Sequence, residues 1–60
     1  MTTPPDLAVM LDGETRLAFE SLSEGRRRRY VEPIVQARGP EAREYRIARA
    51  IRMLREERRR

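Results

Sequence analysis

The apolar residues of this chain recur at the spacing of amphipathic helices, and no segment alternates apolar and polar residues as a β-strand does. The pattern predicts an all-α fold, a small bundle of about four short helices. We expect residues 1–60 to form a single helical domain with flexible ends at 1–3 and 57–60. Phe19 is expected to flank the core. The predicted core consists of Leu7, Leu11, Leu17, Leu22, Tyr30, Ile34, Ile47, Ile51 and Leu54.

Residues that typically begin and end helices separate the four segments. Thr3, Asp12 and Ser23 are the predicted N-caps of the first three helices, because their side-chain oxygens can accept from unpaired backbone amides. Gly39-Pro40 ends the third helix and begins the fourth, which is expected to run from about Pro40 to Glu57.

Pro33 lies inside the third helical segment, where proline removes a hydrogen bond and clashes with the preceding turn. We therefore expect a kink or break between Arg29 and Pro33, with residues 34–37 forming a separate turn.

The fourth helix places Arg43 one turn before Ile47, on the arc that carries its core residues. A guanidinium in that position needs acceptors. Arg43 is therefore expected to tie the fourth helix to the N-terminal helices, through a helix-end carbonyl or a carboxylate. The candidate carboxylates are those of Asp12, Glu14, Glu20 and Glu24.

The composition argues against an enzyme. The chain has 60 residues and contains no Cys and no His, which removes thiolate and imidazole ligands, disulfides and His bases. No carboxylate pair with an apolar surround appears, so we expect no catalytic residue, no metal site and no cofactor. No apolar run reaches the ~20 residues that cross a bilayer, and no signal-like segment opens the chain, so the expected location is cytoplasmic.

The charges are distributed unevenly. Residues 1–25 contain one arginine and five carboxylates, net −4, whereas residues 26–60 contain 13 arginines and five glutamates, net +8. Such a basic half favours an anionic partner, nucleic acid included. The alternative is that the acidic half neutralises part of the basic half within the fold. The exclusive use of arginine is also consistent with a codon bias that has no functional content. The side chains predicted to contact a partner or nucleic acid, all expected to face solvent, are Arg28, Arg29, Tyr45, Arg46, Arg49 and Arg52.

Several short motifs follow one another in a single register along almost the whole chain. They are Pro5-Asp6-Leu7, Phe19 to Ser23, Arg27 to Tyr30, Pro33-Ile34, Ala37-Arg38, Glu41-Ala42-Arg43, Arg46-Ile47 and Met53-Leu54. In this order they resemble the C-terminal module of the bacteriocin-protection family, the YdeI or OmpD-associated proteins. Two positions depart from the family pattern: Pro33 stands where the family has Trp, and Ala42 where it has Thr.

The resemblance implies protection against bacteriocins or cationic antimicrobial peptides and association with an outer-membrane porin, with no reaction attached. We therefore expect a small, non-enzymatic helical interaction module with an unknown protein partner. The alternative is a small Arg-rich nucleic-acid-binding protein, which is less favoured because runs of charge are weak motifs.

Overall fold

A computed structural model describes residues 3–58 of the chain, without the side chain of Arg58. Each regular element in this part of the chain is a helix, so the predicted all-α class is confirmed. None of the four is both long and apolar enough to cross a bilayer. The elements are α1 (Pro5–Met10), α2 (Gly13–Glu20), α3 (Glu24–Gln36) and α4 (Pro40–Arg58).

Two of the three predicted N-caps are present. The Asp12 side chain accepts from the backbone amide of Thr15 at 3.4 Å, and Ser23 accepts from that of Arg26 at 3.3 Å. The prediction for Thr3 is wrong, because α1 begins one residue later, after Pro4, and no side chain caps it.

The turn between α3 and α4 reverses the chain, so the two helices form an antiparallel hairpin. Gly39 takes φ +88° there, a conformation that suits glycine, and Pro40 begins α4 as predicted. Of the ends predicted to be flexible, residues 1, 2, 59 and 60 lie outside the described part of the chain. Glu57 belongs to α4 and bonds to Tyr30 of α3.

The core lies where all four helices meet. Leu22 and Tyr30 are half-buried against it, as is Ala18. The prediction for Leu17 is wrong, since its side chain is 68% exposed, whereas Phe19 is 3% exposed. These residues lie about 200° apart around α2, so one helix face cannot bury both, and the larger side chain faces inward. The buried apolar residues are Leu7, Leu11, Phe19, Val31, Ile34, Ile47, Ala50, Ile51 and Leu54.

Helix α3 continues through Pro33 to Gln36, so the predicted break and separate turn are wrong. Arginines of α4 hold the end of this helix. Arg46 Nη1 donates to the Pro33 carbonyl at 2.6 Å, and Arg43 Nη1 donates to the Ile34 carbonyl at 3.3 Å. The last carbonyls of a helix lack partners within it, and cations are favourable at this end of the helix dipole. These two donors therefore satisfy two carbonyls in the last turn of α3, the turn that contains its proline.

Arg43 also reaches the first helix. Its Nε and Nη2 atoms donate to the two carboxylate oxygens of Asp6, so one guanidinium contacts α1, α3 and α4. The carboxylate is not one of the four candidates named from the sequence. The hydrogen bond from Arg43 holds the pKa of Asp6 below its ordinary value.

Replacing Arg43 tests whether this contact is structural. Arg43→Ala should lower the melting temperature by several degrees, because it leaves Asp6 and the end of α3 without a shared donor. Arg43→Lys should recover only part of the loss, because lysine lacks the planar fork. Thermal unfolding by circular dichroism measures this, with Arg49→Ala as the exposed control. An unchanged melting temperature for Arg43→Ala would contradict the structural role.

Pro33→Ala should stabilise the domain by on the order of 1–3 kcal/mol, because alanine restores an amide that can donate to the Arg29 carbonyl. Urea unfolding measures the change. A loss of stability in Pro33→Ala would mean that the packing of α3 depends on its proline.

In the unaltered chain, amide hydrogen exchange should show weak protection between Arg29 and Ile34.

Candidate partner-binding site

A groove of about 700 Å³ runs between α3 and α4. Its α3 wall consists of residues spaced three or four apart, which places them on one face of that helix. The α4 residues follow the same spacing from Ala42 to Glu57. The lining comprises Arg26, Arg29, Tyr30, Pro33, Ala42, Tyr45, Arg46, Arg49, Ala50, Met53 and Glu57.

Small side chains at two positions of α4 leave the space that forms the groove. Ala50 is buried and Ala42 half-buried, so neither side chain fills the gap between the two helices. Tyr45 and Met53 remain 63% and 47% exposed beside it. The result is an open apolar channel whose tyrosine and methionine are accessible to a partner.

Arginines surround this apolar surface. Arg26 pairs with Glu57 at 3.2 Å, and Arg46 bonds to the Pro33 carbonyl. Within the described part of the chain, no carboxylate lies within ion-pair distance of Arg29 on α3 or Arg49 on α4. The two walls therefore each present a guanidinium whose positive charge is not compensated by a neighbouring carboxylate.

A three-residue cluster closes one end of the groove. The Tyr30 hydroxyl donates to Glu57 Oε2, while Glu57 Oε1 forms an ion pair with Arg26. Burial raises the pKa of Tyr30 to about 12, and the nearby Glu57 carboxylate adds to the effect. The phenol therefore stays protonated and links α3 to the C-terminal part of α4.

Four of the six predicted contact residues meet in the groove: Arg29, Tyr45, Arg46 and Arg49. Arg28 and Arg52 are exposed but do not line it. The prediction that Arg46 faces solvent is wrong, because this side chain is half-buried and bonds to α3.

The sequence prediction missed the rest of the lining. Its one available signal was the pair Ala42 and Ala50, two small residues on adjacent arcs of α4 beside the core. Among the described residues, no group of His, Cys, Asp or Glu could hold a metal ion.

Comparison with known proteins defines the class to which this groove-bearing helical chain belongs. The model of the family described as bacteriocin-protection, YdeI or OmpD-associated matches residues 1–57. The chain therefore belongs to that family, and the resemblance noted from its motifs is confirmed. Neither the curated proteins nor the solved structures give a match.

The raised pKa of Tyr30 predicts a loss of stability in strong alkali. The unfolded phenol ionises near its ordinary value of 10.0, whereas the folded phenol keeps its proton up to about 12. The stabilisation is therefore complete below pH 10 and is lost as the pH rises through 12. Urea unfolding across this range should show a fall that is smaller in Tyr30→Phe. If the free energy of unfolding falls equally with pH in the unaltered protein and in Tyr30→Phe, folding does not raise the pKa of Tyr30.

Proposed function

We propose that this protein is a non-enzymatic interaction module that docks a segment of a protein partner in the groove between α3 and α4. The observation that carries the proposal is the groove itself, with its apolar bottom, exposed Tyr45 and Met53, and surrounding arginines. Tyrosine, methionine and arginine are enriched in protein interfaces, where they supply large contact areas and directional charge.

The dimensions of the groove suit a segment of chain. From Ala42 to Glu57 its α4 wall rises by about 22 Å, the length of about four helical turns. The wall offers contact area and hydrogen-bond donors along this length. The family description names a protective effect and an association, and a role in binding is consistent with both.

Nucleic acid is the second candidate, favoured by Tyr45 beside Arg49, which could stack a base and hold a phosphate. It fits less well because many arginines already have partners within the fold. A side chain engaged in this way contributes less to a continuous phosphate-binding surface. The engaged arginines are Arg16, Arg26, Arg43, Arg46 and Arg55.

Filling the groove tests the proposal. Ala42→Trp places an indole in the channel and should reduce capture of the partner from native lysate at least about tenfold. Ala48→Trp is the matched control, because Ala48 lies exposed on another face of α4. It should leave capture unchanged. Circular dichroism verifies that both variants fold, and Tyr45→Ser provides a second groove variant at an exposed position.

Two results would count against a protein-binding groove. Equal capture by Ala42→Trp and Ala48→Trp would place the partner elsewhere. Loss of the captured material on nuclease treatment, together with a shift of duplex DNA that disappears with rising salt, would favour the nucleic-acid alternative.

A further inference from the structure

We infer that the occupant of the groove is an acidic amphipathic helix of a partner protein, with carboxylates on both sides of its apolar stripe. The inference rests on the proposed function and adds the chemistry of the partner. It is carried by the arrangement of charge around the groove, which differs between its walls and its bottom.

Positive charge lies on both walls. Arg29 is on α3 and Arg49 is on α4. Among the described residues, neither arginine has a carboxylate within ion-pair distance. A ligand that enters between them therefore meets a guanidinium on each side. Carboxylates on both flanks of the ligand would form charge-assisted hydrogen bonds, which are stronger than those between neutral groups.

The apolar bottom of the groove determines which side chains the ligand presents between its carboxylates. Ala42 and Ala50 permit close approach, and Met53 can adapt its shape to the side chains that enter. A helix meets such a surface with apolar residues at i, i+3, i+4 and i+7. Two antiparallel helices already present ridges along which a third can pack.

Other ligands fit the same surface less well. A cationic peptide would place positive charge against Arg29 and Arg49, so this groove is unsuited to direct capture of cationic antimicrobial peptides. A nucleic acid would meet a bottom formed by alanine and methionine side chains, which offer little stacking to its bases.

A second copy of this chain would also present an acidic helix, because α2 exposes Leu17 with Glu14 and Glu20 three residues to either side. However, α2 has eight residues and rises about 12 Å, roughly half the length of the groove. A longer helix from a different protein matches the groove better.

The test is a selection from displayed helical peptides of about 15 residues, the number that covers the groove. Apolar residues are fixed at i, i+3, i+4 and i+7, and the flanking positions are randomised among Asp, Glu, Lys, Arg, Ser and Gln. Selection on the unaltered protein should enrich carboxylates on both flanks at least about tenfold over Lys and Arg. The double variant Arg29→Glu/Arg49→Glu should reverse that preference.

The matched control is Arg28→Glu/Arg52→Glu, which has the same net charge and one substitution on each helix but lies outside the groove lining. It should retain the preference for carboxylates. The inference is overturned if Lys and Arg are enriched, if no charge is preferred, or if the control changes the selection as much as the groove variant does.

Combining this selection with the capture experiment separates the two proposals. If capture depends on Ala42 but the selection is not acidic, only the present inference fails, and the groove docks a partner segment of other chemistry. Salt-sensitive binding of duplex DNA that is lost in Ala42→Trp would overturn both proposals. If capture does not depend on Ala42, the groove is not the docking site. If the sedimentation mass rises with concentration and falls to that of a monomer in Arg29→Glu/Arg49→Glu, the occupant is a second copy, which overturns the assignment to a separate partner.

Discussion

The fold depends on how its short helices satisfy the backbone carbonyls at their C-terminal ends. A chain of 60 residues has a small core and little hydrophobic stabilisation to spare, so an unsatisfied helix end is a large liability. Arginines from the following elements supply the donors. Arg16 bonds to the carbonyls of Ala8 and Leu11 at the end of α1, while Arg43 and Arg46 bond to the end of α3. A guanidinium can contact two elements at once, which an ammonium on a flexible stem does less well. The use of arginine therefore has a structural reason at these positions, in addition to any codon preference.

The same contacts fix the shape of the groove. Near the turn, Arg46 holds α4 to the Pro33 carbonyl, and at the opposite end Tyr30 is bonded to Glu57. Ala50 lies between these two ties and Ala42 lies on the turn side of Arg46, and neither side chain fills the space between the helices. A groove whose two walls are tied together at two points is largely formed before any ligand binds, so less order has to be imposed on binding.

Local sequence signals predicted those features that local chemistry decides. The caps at Asp12 and Ser23 depend on one side chain and an amide three residues away, so sequence spacing was sufficient. Arg43 was found because helical periodicity places it on the core arc. Features decided by packing were missed: the burial of Phe19 in place of Leu17 depends on the rotation of α2. The continuity of α3 through Pro33 was also missed, and so were the bonds from α4 arginines to its last carbonyls. The groove depends on how closely two helices approach. Periodicity within one helix contains none of this information.

The charge asymmetry of the chain is only partly resolved by folding. Asp6 pairs with Arg43 and Asp12 with Arg55, so the acidic N-terminal half neutralises some of the basic half across the tertiary structure. The groove arginines Arg29 and Arg49 are not among those pairs, so their positive charge remains beside the apolar channel. Pro33, the position at which the resemblance implies Trp, lines the same channel. Proline in place of an aromatic side chain offers less contact area but does not alter the charge. If the groove docks a partner as proposed, recognition should depend more on arginine–carboxylate pairing than on burial of a large ring. Charge reversal at Arg29 and Arg49 is therefore the most informative substitution in the chain.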